Sequence, residues 1–361
     1  MIPLSRATVT DAMKQAMLDV VDSGRFILGP QTRGFETEFA RYAGVAHAVA
    51  VSQGTSAIQL ALLAIGIQPG DEVLVPSLTA FPTIEGVAHA GATPVFVDCD
   101  AYGCMDAGDA ESRITSRTVG VVPVHLYGGA ADLDRLTELA TRRNLWLVED
   151  CAQSHGARHR GRMTGSIGRA GTFSFYPSKN LTVFGDGGMV VTDDPGIAKG
   201  VRLLRDHGRS DKYTHIAMGF NLRFNEVQAA VGRLQLADLE TYVAKRRAVA
   251  ARYHAAFRGL PGVAVPGERP DTRMAYHLYP LLLADEPARD ALVAHLKAAG
   301  IETGVHYPIP NHLQPAMASR GTPPSLPHSE AFANTELSLP MFPGLSDGDV
   351  ETVIAAVRRF F

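Results

Sequence analysis

Seven short, mostly apolar runs recur through the first half of the chain: HAVAV (47–51), EVLVP (72–76), PVFV (94–97), VGVVPV (119–124), LWLVE (145–149), GTFSF (171–175) and GMVVT (188–192). Most are continuous rather than alternating, the pattern of strands covered on both faces. Helical patterns separate them. SAIQLALLAIGI (56–67) carries apolar residues at helical spacing and is stopped by Pro69 and Gly70, while ADLDRLTELATRRN (131–144) has aspartates early and arginines late, as the helix dipole favours. Strand and helix in alternation predict an α/β fold, a mainly parallel seven-stranded sheet flanked by helices. Ligands in such sheets bind beyond the carboxyl ends of the strands.

From about residue 225 the pattern changes. Residues 225–260 read as one long helix with a bend expected near Gly232, followed by the turn-rich hinge PGVAVPGERP (261–270). Strand candidates at YHLYPLLL (276–283) and GVHYPIP (304–310), with a helix at 290–300 between them, predict a smaller C-terminal α+β domain; GTPPSLP (321–327) reads as a loop. The expected division is a large domain over 1–240 and a small one over 241–361. With 361 residues and 46% hydrophobic content the chain can bury a full core. A net charge of -3 with interspersed signs offers no basic stripe, so neither nucleic acid nor a membrane surface is expected as a partner. No apolar leader or bilayer-length run is present, which reads as a cytoplasmic protein. Cys99, Cys104 and Cys151 lack a Cys-x-x-Cys pair and are too few for a disulfide framework, so no metal is expected.

Lys179 follows the GTFSF run and Asp150 ends the LWLVED run, so an amine and a carboxylate meet the carboxyl ends of two buried strands. Pyridoxal phosphate needs this pair: an amine to hold its aldehyde and shuttle a proton, and a carboxylate to keep its ring nitrogen protonated. Taken singly, the lysine could be a surface residue and the aspartate a helix cap. SQGTSA (52–57) joins a strand to a helix, where the amides of Gly54, Thr55 and Ser56 and the two hydroxyls would face an anion. A plain cap is the ordinary reading of that turn as well; the three together supply every anchor the cofactor needs.

The chain resembles the DegT/StrS family of nucleotide-sugar aminotransferases, fold type I pyridoxal phosphate enzymes. The similarity runs from about residue 10 to the C-terminus through QPGDEVLVPS (68–77), GATPVFVD (91–98), VHLYG (124–128), VEDCAQSHGA (148–157), SFYPSKN (174–180), GDGGMVVT (185–192), LLRDHG (203–208), GFNLRFNEVQAA (219–230), VHYPIPNHLQPA (305–316) and LSLPMFPGLS (337–346). The resemblance implies that Lys179 is the Schiff-base lysine and Asp150 the partner of the ring nitrogen, that Gln153 bonds the phenolic oxygen, and that Ala152 lies against the ring. It implies Gly54, Thr55 and Ser174 as phosphate ligands, and Asn221 as an asparagine reaching into the neighbouring subunit's site, hence a homodimer with shared active sites. Many relatives carry an aromatic residue where PSLTAFPT (76–83) has Ala80, with Phe81 next; ring stacking stays unassigned.

On the substrate side, His125 and Tyr127, then His306, Tyr307 and His312 of the 304–312 loop, lie where relatives meet the sugar or the nucleotide diphosphate; Arg205 and His207 are further candidates. A structural role is the alternative for each lone histidine. The implied reaction moves an amino group from L-glutamate or L-glutamine to a nucleotide-linked ketosugar. The VHYPIPNHLQPA motif resembles relatives acting on 3-keto sugars, with 4-keto sugars the alternative. A proton-shuttling Lys179 must have a pKa below its reference of ~10.4. A dehydratase reading needs histidine in place of Lys179, an iron-sulfur reading needs four thiolates, and a non-catalytic cofactor-binding regulator would need an output module.

Overall fold

The computed structural model describes the backbone of residues 1–361 and every side chain but that of Arg320. The chain opens with α1 (Asp11–Ser23) and α2 (Pro30–Ala43). It then alternates through β1 (His47–Val51), α3 (Gly54–Ile65), β2 (Glu72–Pro76), α4 (Pro82–His89), β3 (Thr93–Val97), α5 (Ala107–Ser112), β4 (Thr118–Val121), α6 (Leu133–Arg142) and β5 (Trp146–Asp150). A small hairpin, β6 (Arg158–His159) and β7 (Arg162–Met163), precedes β8 (Ala170–Ser174) and β9 (Gly188–Thr192). All seven predicted runs are strands of one seven-stranded sheet in the order β1-β9-β8-β5-β4-β2-β3. Only β9 runs against the rest, pairing antiparallel with both β1 and β8. The other pairings are parallel. This fits the near-continuous burial along the strands, since each face is covered by helices.

Beyond the sheet come α7 (Pro195–Leu204) and α8 (Glu226–Phe257), then β10 (Thr272–Arg273), β11 (Tyr279–Leu282), α9 (Glu286–Ala298), α10 (Pro327–Thr335), β12 (Glu336–Leu339) and α11 (Asp347–Phe360). Helix α8 starts on Asn225, whose side chain accepts from Gln228 N, and continues without interruption through Gly232. A Cβ at Gly232 would lie 2.8 Å from the Phe35 ring, so the glycine lets α2 and α8 approach rather than bending the helix. The boundary expected at 240/241 falls inside α8, and one core cluster unites sheet residues Leu74, Val121 and Leu147 with Tyr253, Leu281, Leu292 and Val353. The segment 304–310 is not a strand. Gly304 makes a single bridge to Ser338, and Pro308 and Pro310 lack the donors that a ladder needs.

Polar clips hold this C-terminal segment over the carboxyl ends of β2 and β3. Asn311 N donates to Ser77 O at 2.9 Å and Asn311 Nδ2 to Thr79 O at 2.9 Å. Asp98, one residue past β3, accepts from Ser329 N and Oγ, both at 2.7 Å, and so fills the first turn of α10. Among the described residues, no helix is long and apolar enough to cross a membrane.

Candidate active site

A cavity of about 400 Å³ opens where β1, β5 and β8 end, and Lys179, Asp150, Gly54, Thr55, Ala152, Gln153, Ser174 and Tyr307 line it. The order of strands in the sheet explains the convergence. β5 and β8 are parallel neighbours, so Asp150 at the end of one and the 174–179 loop after the other leave the sheet on the same edge. β1 delivers α3 to that edge two positions away.

Lys179 is half-buried at the wall of the cavity. Burial lowers its amine from 10.5 to about 8, with the nearby Asp150 carboxylate working the other way. Asp150 is 3% exposed. Burial raises its carboxyl above the usual range, while hydrogen bonds from Ala152 N at 3.0 Å and Thr83 Oγ1 at 2.8 Å, together with Lys179, favour the charged form. The two groups thus set a half-buried amine beside a buried carboxyl, with shifts that oppose full charge separation.

The phosphate end has a separate basis. Gln53 is the N-cap of α3 but its side chain makes no cap hydrogen bond, and no acidic residue stands in the first turn. The first amides of α3 therefore face the cavity beside Ser174 with no side-chain acceptor, an arrangement suited to a dianion. A Cβ on Gly54 would sit 2.7 Å from the Ser174 Cβ, so only glycine lets the helix start this close to the strand end. Amine, carboxylate and uncapped helix terminus together fit pyridoxal phosphate.

Several expected side chains are placed elsewhere. Ser56 is 1% exposed and its hydroxyl donates back to Gln53 O at 2.9 Å, leaving only its backbone for the anion. His125 is fully buried: its Nε2 bonds Glu149 at 2.9 Å and its Nδ1 accepts from Ala131 N, so it has no nitrogen left for a substrate. Glu149 also takes amides from Gly165, Ile167 and Gly168. The donor atoms of His125, Glu149 and Cys151 lie within 4.8 Å of one another, yet those bonds already use both carboxylate oxygens, which argues for a structural node over a metal site. Tyr127 is buried and its hydroxyl donates to His306 O at 2.6 Å. His312 bridges Ser77 and Glu330. Arg205 is committed to Glu36 and Ala50 O, both at 2.5 Å, in the interior behind β1. His207 sits in a turn after α7, and neither it nor Arg205 lines the cavity. The bonds of His125, Tyr127, His312 and Arg205 share a feature: polar residues at strand and helix ends dock segments distant in sequence.

His306 lies beside the site. Its Nδ1 meets Ser338 Oγ at 3.0 Å and its amide donates to Glu336, a buried carboxyl that burial pushes up to about 8. Ala80 lines the cavity, whereas Phe81 packs against the core around α3 and α4, so Phe81 does not supply the missing aromatic face. Residues not foreseen from sequence include Thr79, Thr83, Tyr176 and Asp186. Thr83 and Tyr176 lie inside the motifs PSLTAFPT and SFYPSKN, so position within a motif is the signal that points to them.

The family model of the DegT/DnrJ/EryC1/StrS aminotransferases matches residues 8–358. The chain belongs to that family. Among its relatives is a dTDP-3-amino-3,4,6-trideoxy-alpha-D-glucose transaminase of Streptomyces venezuelae, 48% identical over 353 residues, covering 97% of this chain and 92% of the relative. A UDP-N-acetyl-3-dehydro-alpha-D-glucosamine 3-aminotransferase of Acidithiobacillus ferrooxidans is 41% identical over 354 residues, covering 98% and 95%. The solved structure of S. venezuelae DesV in complex with a ketimine intermediate superposes with a TM-score of 0.93 at 48% identity, covering 96% of this chain and 94% of that one. This member of the DegT/DnrJ/EryC1/StrS family is therefore an aminotransferase with the type I fold.

Proposed function

We propose that this aminotransferase uses pyridoxal phosphate to move an amino group from L-glutamate or L-glutamine to the 3-keto group of a nucleoside-diphosphate sugar. The observation that carries the reading is the half-buried Lys179 beside Asp150 at the rim of a cavity whose other end is an uncapped helix terminus. When bound, the cofactor's aldehyde carries the amino group and its ring takes up the electrons of the broken C–H bond.

The chain's own residues do the rest. Lys179 holds the cofactor and, once released, moves a proton at the substrate's α-carbon; a pKa of about 8 leaves a usable share of neutral amine close to neutral pH. Asp150 would pair with the ring nitrogen. The amides of Gly54 and Thr55, with Ser174, would take the phosphate, and Ala152 would lie against the ring; all five line the same cavity. Gln153 uses its oxygen for Tyr127 N and one amide hydrogen for Tyr307, leaving a second hydrogen for the phenolic oxygen. Tyr307 lines the same cavity, and His306 precedes it in the loop.

Asn221 supports a shared dimer site. Its Oδ1 accepts from Arg223 at 2.7 Å, it does not line its own chain's cavity, and the loop before it exposes Tyr213, Ile216 and Met218, the last 94% exposed. We place this loop against the partner subunit, with Asn221 at the partner's phosphate site.

The position of the keto group is supported by relatives whose names place the nitrogen at C3. The test is to convert the holoprotein to its amino form and challenge it with dTDP-, UDP- and GDP-linked 3-keto and 4-keto sugars, scoring return of the aldehyde-form absorbance. A 3-keto sugar should react at least about tenfold faster than its 4-keto isomer, the scale at which one misplaced polar group is felt. Preference for the 4-keto isomer would overturn the positional assignment and leave transamination standing.

A further inference from the structure

Asp150 is held by a chain of hydroxyls. Thr83 Oγ1 donates to Asp150 Oδ2 at 2.8 Å, and Thr79 Oγ1 lies 3.3 Å from Thr83 Oγ1. Since the Thr83 hydrogen goes to the carboxylate, Thr79 is the donor to Thr83, and the relay runs Thr79 to Thr83 to Asp150. Both threonines are 2% exposed and both line the cavity. Thr83 stands in the first turn of α4, after Pro82, which fixes how the chain enters the helix. Thr79 is itself pinned from the C-terminal segment, since Asn311 Nδ2 donates to Thr79 O at 2.9 Å and Asn311 is 1% exposed.

We propose that Thr83 is a positioning residue for Asp150, keeping its carboxylate charged and turned toward the ring end of the cavity, and that Asn311 ties this setting to the C-terminal segment. The inference rests on the cofactor reading above. The physical need is plain: burial drives the Asp150 carboxyl toward its neutral form, and only hydrogen bonds to the charged form and nearby cations oppose it. Ala152 N orients one oxygen and Thr83 the other, so losing Thr83 frees Oδ2 both to rotate and to protonate. The titratable groups facing Asp150 are Lys179, His125, Tyr307 and Cys151; none of these donates a hydrogen bond to Oδ2, so none replaces the threonine.

The test is equilibrium binding of pyridoxal phosphate to apoprotein, followed by fluorescence between about pH 5 and pH 9, a range on both sides of neutrality. Thr83→Val keeps the branched shape and removes the donor. It should weaken binding about tenfold at neutral pH, the scale of a hydrogen bond to a charged group. It should also move the acid limb of the affinity profile upward by about one pH unit, because the charged carboxylate has lost a partner. Thr83→Ser, which restores the hydroxyl, should return both to near wild type, and Thr83→Ala serves as the donor-free variant if the valine fails to fold. Wild-type affinity with an unmoved acid limb in the donor-free variant overturns the proposal. Equal impairment in Thr83→Ser also overturns it, by assigning the effect to packing. Wild-type protein that does not bind the cofactor overturns the cofactor reading itself.

Discussion

The Tyr307 hydroxyl accepts a hydrogen bond from Gln153 Nε2 at 2.9 Å, joining the C-terminal segment to the residue that follows β5 by three positions. Gln153 Oε1 in turn accepts from Tyr127 N at 2.7 Å, and Tyr127 Oη donates to His306 O at 2.6 Å. The loop that carries His306 and Tyr307 is therefore closed onto the sheet by a ring of three hydrogen bonds that passes through Gln153 and Tyr127. Tyr307→Phe leaves the Gln153 amide without its acceptor in a buried setting. The expected loss is about tenfold in kcat/KM together with a fall in unfolding free energy of about 1–3 kcal/mol, the scale of one unpaired buried donor. Steady-state kinetics on the ketosugar check it, and an unchanged kcat/KM would place the hydroxyl outside the working site.

Removing the Lys179 amine should abolish multiple turnover while leaving the fold intact, because on the proposed reading Lys179→Ala takes away the group that holds the cofactor and moves the proton. The apoprotein carries a further, pH-dependent consequence. The amine's folded pKa is lowered from 10.5 to about 8, so between those values the unfolded chain binds more protons than the folded one. Lys179 therefore destabilises the apoprotein most below about pH 8, and the penalty fades as pH rises toward 10.5. The measurement is the difference in unfolding free energy between wild type and Lys179→Ala. Wild type should gain on the variant by about 3 kcal/mol over that window, since a tenfold change in proton affinity corresponds to about 1.4 kcal/mol. A difference flat in pH would mean that the amine is solvated.

Asp150→Asn keeps shape but removes charge. A loss of about 10²-fold or more in the rate of amino transfer is expected, the usual scale for an electrostatic group acting on the reacting system. Rates within a few-fold of wild type would contradict Asp150 as the ring-nitrogen partner. Glu149 is a poor substitute, since both its oxygens face inward to His125 and three backbone amides.

The sheet is legible in the sequence because strands buried on both faces have one requirement, continuous apolar side chains, and the seven runs satisfy it locally. The reversal of β9 is not legible, since a buried strand reads the same in either direction. The two-residue strands β6, β7 and β10 are also hidden, being too short to show a period. Lys179, Asp150 and the turn at Gly54 can be read from their places at strand ends. Polar residues whose partners are remote in sequence cannot. Arg205 meets Glu36 and His312 meets Ser77 only after folding, and both resemble substrate contacts because a sequence window holds no trace of the partner. Thr83 is inconspicuous for the converse reason: the departure from the family pattern lies at Ala80 and Phe81, while the hydroxyl that reaches Asp150 stands one helical turn further on.

A shared site makes a prediction about mixed subunits. Asn221→Ala and Lys179→Ala chains, each impaired alone, should complement after subunit exchange, because a two-fold dimer presents the same patch twice and one of its two sites would be wild type. Activity per heterodimer should approach half of wild type. Absence of recovery after demonstrated exchange would place Asn221 outside the partner's site.

On the proposed reading, one Lys179-bearing cavity performs both halves of an amino transfer between an amino acid and a nucleotide-linked ketosugar. The most direct test is a single turnover: holoprotein is treated with L-glutamate, freed of donor, and mixed with a dTDP- or UDP-linked 3-keto sugar. The account predicts one equivalent of 3-amino sugar per active site, with return of the aldehyde-form absorbance at the same rate. Full conversion by the donor followed by no amino sugar from any nucleotide-linked ketosugar would contradict it.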